Sequence, residues 1–358
     1  MKQSFISGAD ISFLDEVEQS GGQFYDLGAE DNIKLLSQHG INGVRLRIWN
    51  KPPGGYCNLD RTLKMAKRIK EFNMHFLLCF HFSDVWADPK HQSKPVEWEH
   101  LDYASLHKAL QDYIVHIIQA LKDQGTMPDM VQIGNEITMG ILWEEGSVNG
   151  ELRTLPQQWE QFTSLIKTGI DAVKSVDKTI KTMIHVDRGG DQEVCRFFYD
   201  KFEEYHVNFD TIGLSFYPWW HGTFNDLENN LADLAERYDK EMMVVEVAYP
   251  WLLDTANTLN VCKSEEQLHA GYSATPEGQA RYMTDFIDLL KRTPNDKCIG
   301  FHYWEPSWLP CKDEWSVGHE NNWSNLTLFD FDGQKLPALD SIKKHALEVS
   351  NDTNIATI

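Results

Sequence analysis

The chain has 358 residues, 42% hydrophobic and 24% charged, enough for a sizeable core in one large domain or two medium ones and unlike a disordered composition. Its net charge of −21 repels phosphate backbones and anionic lipid, which argues against nucleic acid or a charged membrane surface as a partner. No run of 18 apolar residues could span a bilayer. The opening MKQSFISGAD has no apolar stretch, so no signal peptide is expected in this chain: it is intracellular as written, or an exported protein whose leader has been removed.

In chain order, short β-branched or aromatic runs recur at 5–9, 43–49, 76–82, 130–135, 181–186, 211–217, 242–247 and 298–304. Amphipathic helical stretches separate them, at 31–39, 60–72, 103–122, 159–175, 192–205, 225–238 and 276–291, with 336–348 last. In the second of these, Leu63, Ala66, Ile69 and Phe72 form the apolar stripe, and Lys64, Lys67, Arg68 and Lys70 the polar side. No linker or close repeat interrupts the series. Eight strands each followed by a helix predict an α/β fold, a single-domain (β/α)8 TIM barrel over 1–350 with 351–358 as a C-terminal tail. The rival, a doubly wound open sheet, would be favoured by a glycine-rich phosphate turn, and no GxGxxG occurs.

Alternation along the strands sharpens this. Val44, Leu46 and Ile48 share one face, with Arg45, Arg47 and Trp49 on the other. Ile212, Leu214 and Phe216 oppose Gly213, Ser215 and Tyr217; Ile299, Phe301 and Tyr303 oppose Gly300, His302 and Trp304. One face of each strand suits a layer of helices, while the other carries polar groups toward its C-terminal end, where barrel active sites lie.

Two carboxylates each end an apolar run: Glu136 in MVQIGNEITMG, on the fourth strand, and Glu246 in MMVVEVAYPW, on the seventh. A carboxylate in that position costs solvation free energy unless it is paired or functional, and a buried ion pair with Arg45 or Arg47 is the bland alternative. Two acids facing one cleft are what glycosidic bond cleavage needs, one protonated to donate to the leaving oxygen and one ionised to attack C1 or activate water. Tyr217 is placed to donate to Glu246 and favour its charged form, Glu136 away from such a donor would stay protonated, and Asn135 offers an amide to a sugar hydroxyl. Further strand-end candidates are His81, Asp84 and Trp86 after the third strand, and His185 and Asp187 after the fifth. Trp219, Trp220 and His221 follow the sixth, and Trp304, Glu305 and Trp308 the eighth. Glu305 is the rival third acid, set aside because Pro306 is expected to turn the chain outward. His81, His185 and His221 could bind zinc only if they converge, which spacing does not establish, and no metal is predicted. Aromatic residues make up 12% of the chain, including 12 Trp, many in polar, loop-like contexts; flat apolar walls for a sugar and a protein interface are both open readings. The six Cys form no CxxC, and Cys79 and Cys298 read as buried thiols.

Taken together, GADIS, GVRLRIWN, FHFSDVWADPKHQSKPVEW, QIGNEITMGILW, GLSFYPWWHG, VVEVAYPW and FHYWEPSWLP resemble, in order and over about residues 8–340, the arabinogalactan endo-1,4-β-galactanases of glycoside hydrolase family 53. The resemblance implies a retaining (β/α)8 enzyme acting on β-1,4-linked galactose chains, with Glu136 as acid/base and Glu246 as nucleophile. It also implies that Arg45, Tyr217 and Trp304 shape the subsite at the cleaved bond. Some bacterial relatives bind calcium between the loops after strands seven and eight through a compact acidic run; here that loop has Asp254 and Asn257 but no such run, so calcium is not predicted. Some fungal relatives bridge these loops with a disulfide, a role Cys262 and Cys311 would fill in an oxidising compartment. The partner implied is galactan or a galacto-oligosaccharide, bound by a monomer. A related barrel cutting mannan or glucan, or a galactan-binding barrel without catalysis, is the alternative.

Overall fold

The computed structural model describes residues 5–253 and 257–355. Eight parallel strands close into a barrel: β1 Ile6–Asp10, β2 Gly43–Ile48, β3 His75–Phe80, β4 Met130–Ile133, β5 Lys181–Val186, β6 Thr211–Phe216, β7 Glu241–Val247 and β8 Cys298–Trp304. Each pairs with the next, and β8 returns to β1. The helices that follow the strands around the barrel are α1 Asn32–Gln38, α2 Leu59–Glu71, α3 Tyr103–Gln124, α4 Pro156–Val176, α5 Gln192–Glu204, α6 Phe224–Arg237, α7 Pro276–Lys291 and α8 Pro337–Ile355, and short helices Leu14–Gln19 and Pro218–His221 sit in the loops. The last runs through residue 351, so the expected tail boundary falls inside a helix. No helix among the described residues is long and apolar enough to cross a membrane.

Local chemistry sets where these helices start and stop. Asp31, Asn58, Asp102, Asp191 and Thr275 each accept a hydrogen bond from the backbone N–H three residues on, and Thr223 with Asp226 forms a reciprocal cap. Gly125, at φ 78°, ends α3 in a left-handed conformation that costs glycine nothing.

The core has two parts. The outer part lies between strands and helices and takes Val44, Leu46 and Ile48 from β2 and Ile212, Leu214 and Phe216 from β6, as alternation predicts. The inner part is a plug across the barrel, formed by Ile6, Leu77, Met130, Met183, Met243, Val245 and Ile299. Ile299 is a correction to simple alternation: it packs inside with the plug while Phe301 and Tyr303 pack outside. The cause is a bulge. Met242 pairs with Cys298 and Met243 with Gly300, leaving Ile299 as the extra residue.

Candidate active site

The C-terminal strand ends open into a cleft whose floor is organised by Arg45. This guanidinium is buried, and its Nη1 donates to Asp10 Oδ2 and to Glu246 Oε1, both at 2.9 Å. Nη2 donates to Asn135 Oδ1 at 2.7 Å and Nε to Gln132 Oε1 at 3.1 Å. Tyr217 donates its phenol to Glu246 Oε2 at 3.0 Å, so both oxygens of that carboxylate are held by donors. The ion pair expected as the bland reading of a strand-end acid therefore exists for Glu246, together with an open face on the cleft.

A second bulge aims Glu246 inward. Leu214 pairs with Val244 and Ser215 with Glu246, so Val245 is the extra residue on β7. Val245 packs in the barrel plug and Glu246, the next residue, also points into the mouth; strict alternation would have sent it toward the helices.

Glu136 follows β4 in a left-handed conformation, φ 49° and ψ 52°, and lines the same cleft. One oxygen of Glu136, one of Glu246 and one ring nitrogen of His185 all lie within 4.8 Å of one another. Burial, followed by the neighbouring charges of Glu246 and Asp187, holds the Glu136 carboxyl well above the ordinary carboxylate range, against the hydrogen bond from Ser215. Burial also raises Glu246, but Arg45 and the Tyr217 phenol pull it back toward the charged form. The surroundings thus separate the two acids: burial and neighbouring carboxylates favour the neutral form of Glu136, whereas Arg45 and Tyr217 favour the charged form of Glu246.

Of the residues singled out from sequence, Arg45, His81, Trp86, Asn135, Tyr217, Trp220 and Trp304 line the cleft with the two acids. His81 Nδ1 accepts from the Ala87 N–H, leaving its Nε2–H as the free donor. Asn135 spends one amide hydrogen on the Ala87 carbonyl. Four of the expected sugar contacts do not line it. Asp84 accepts from the backbone N–H groups of Lys51 and Val96 and fastens two loops. Trp308 is buried and stacks on Phe13 at 3.9 Å behind Trp304. His221 accepts from the Tyr217 N–H and faces a neighbouring recess. His185 is fully buried beneath Glu136, with both ring nitrogens engaged. Burial and the Arg45 charge hold it well below the usual histidine range, so it is a neutral support for the acid and not a sugar contact.

Glu305 also corrects an expectation. It turns inward, is fully buried, and accepts from Arg47 Nη1 at 2.6 Å and the Phe13 N–H at 3.2 Å. Burial raises its pKa, while Arg47 and the Phe13 N–H pull it back toward the charged form. The Arg47 guanidinium in turn lies 4.5 Å from the Trp86 ring and 4.3 Å from Phe13, a cationic platform under the cleft wall. Cys262 and Cys311 are free thiols; Cys262 is buried, and Cys311 contacts the Val17 carbonyl, so no bridge joins the two loops. Asp254 lies outside the described residues, and Asn257 donates to Asn260 and to the Asn321 carbonyl. Among the described residues His81, His185 and His221 form no ligand group. Glu136, His185 and Glu246 have spacing a metal ion could accept.

Sequence reasoning missed Asp10, Asp88, Val261, His319 and Asn322 as cleft residues. Asp10 was findable, since it ends β1 as the two glutamates end their runs. His319 and Asn322 come from the long segment after β8, whose composition carries no periodic signal.

A closed eight-stranded barrel with two carboxylates facing one cleft at its C-terminal end is the architecture of a barrel glycosidase. The model of glycosyl hydrolase family 53 matches residues 6–342, and the chain belongs to that family. It is 53% identical over 345 residues to a Niallia circulans protein described only as an uncharacterized protein in the bgaB 5' region, covering 96% of this chain and 94% of that one. It is 33% identical over 336 residues to the arabinogalactan endo-beta-1,4-galactanase of Cellvibrio japonicus, covering 91% and 86%. Among solved structures, the Ignisphaera aggregans GH53 catalytic domain superposes with a TM-score of 0.87 at 37% identity, covering 95% of each chain.

Proposed function

We propose that the protein hydrolyses β-1,4-galactosidic linkages in galactan and type I arabinogalactan, with retention, by double displacement. The spacing of the acids carries this reading: oxygens of Glu136 and Glu246 lie within 4.8 Å of each other. Retaining pairs stand about 5–5.5 Å apart, whereas inverting pairs leave about 6.5–9.5 Å for a water. Glu246 attacks the anomeric carbon while Glu136 gives its proton to the departing glycosidic oxygen. Glu136, now ionised, takes a proton from water as that water displaces Glu246 from the sugar. The similarity to a named galactanase supports the choice of galactan.

Reducing-sugar release from galactan, mannan and glucan, with the anomer of the first product read by proton NMR, tests both halves. Release from galactan with the β-anomer appearing first is the expected result. Release from mannan or glucan alone would overturn the substrate, and an α-anomer would overturn the mechanism.

A further inference from the structure

Ser215 and His185 are buried below the cleft, lie outside its lining, and have no part in the two steps above. Their contacts nonetheless have a single consistent direction. Arg45 can only donate, and its Nε donates to Gln132 Oε1 at 3.1 Å, which turns the Gln132 amide nitrogen toward His185 Nδ1 at 3.0 Å. The Glu136 N–H points at the same Nδ1 at 3.3 Å. With two donors aimed at it, Nδ1 is the acceptor, so the ring proton sits on Nε2, 2.9 Å from Ser215 Oγ. Ser215 therefore accepts from the histidine and spends its only proton on Glu136 Oε1, at 2.6 Å. The other Gln132 amide hydrogen goes to the Gly134 carbonyl at 2.9 Å, so Asn135 Oδ1, 3.1 Å from Nδ1, faces it lone pair to lone pair, a contact offset by the Arg45 Nη2 donor at 2.7 Å.

We infer that Arg45, Gln132, His185 and Ser215 form a directed hydrogen-bond wire that reserves Glu136 Oε1 as an acceptor and so confines the acid's transferable proton to Oε2. The guanidinium that holds the nucleophile thereby also sets where the acid carries its proton. Ser215 and His185 are positioning residues: neither lines the cleft, and both act through Glu136. The inference rests on reading Glu136 as the acid/base.

Two measurements test it. Nitrogen-15 NMR of the histidine rings in the native protein reads the His185 tautomer without any substrate, so it stands even if galactan proves to be the wrong polymer. A protonated Nε2 with an unprotonated Nδ1 is expected; a protonated Nδ1 overturns the wire. The second is the pH profile of kcat/KM for Ser215→Ala on whichever polysaccharide the native enzyme cuts. Ser215 favours the ionised form of Glu136, so its loss should move the alkaline limb upward by at least about half a pH unit. A folded Ser215→Ala protein that loses rate at every pH with the limb unmoved would make Ser215 merely structural and overturn the proposal. Should that variant not fold, the tautomer alone decides.

Discussion

At the residue scale, the two acids differ less in burial than in their partners. Glu246 has a guanidinium and a phenol on its oxygens; Glu136 has one hydroxyl and two neighbouring carboxylates. Glu246→Ala should abolish turnover on every substrate, because it removes the proposed nucleophile. Glu136→Ala should cost about 10²–10⁴-fold on the polysaccharide yet spare an aryl glycoside with a good leaving group, which departs without a proton. Equal losses on the two substrates would remove Glu136 from the acid role. The Tyr217 phenol makes a separate prediction. It stabilises the ionised Glu246, so Tyr217→Phe raises that pKa, and the acidic limb of kcat/KM should move to higher pH by up to about one unit. A limb that stays in place would mean the phenol does not govern the nucleophile's charge. Glu305 belongs to stability instead. Glu305→Gln leaves the buried Arg47 without its anion and should lower the unfolding free energy by about 3–5 kcal/mol, read by urea titration.

At the element scale, the sequence was most legible where period alone decides. The eight barrel strands and the eight helices after them lie where the β-branched or aromatic runs and the helical spacing put them, because each strand must offer an apolar back to its helix; the short helices Leu14–Gln19 and Pro218–His221 carried no such signal. Legibility failed at the bulges. Nothing in MMVVEVAYPW marks Val245 as an extra residue, and Glu246 was found from its position at the end of an apolar run, not from parity. The same holds for Ile299, whose inward turn depends on a backbone approach at Gly300. Support residues were misread for a related reason: a strand-end His or Trp looks the same in sequence whether it lines the cleft or props a neighbour, as His185 and Trp308 do. Gly300 makes the element-scale prediction. A Cβ there would meet the Ile6 carbonyl oxygen at 2.2 Å, and no side chain can move to relieve that contact between β8 and β1. Gly300→Ala should destabilise the barrel by about 1–3 kcal/mol, seen as a lower thermal midpoint. An unchanged midpoint would show that the strands separate freely at that register.

At the scale of the whole molecule, the charge of −21 bears on what kind of chain the cleft receives. The arginines of the cleft floor are already neutralised within the protein, Arg45 by Asp10 and Glu246 and Arg47 by Glu305. The long-range field is therefore that of a polyanion with no compensating cationic funnel at the floor. A neutral galactan feels no such field, and its binding should rest on aromatic walls and hydrogen bonds, which salt screens little. Raising the ionic strength from about 0.02 M to about 0.5 M shortens the Debye length from roughly 20 Å to roughly 4 Å. Over that range kcat/KM on galactan should change by less than about two-fold, whereas an anionic polysaccharide would be repelled at low salt and gain steeply as salt is added. A steep gain on galactan would mean that charge repulsion governs its encounter with the cleft, and would overturn the account of binding through aromatic walls and hydrogen bonds.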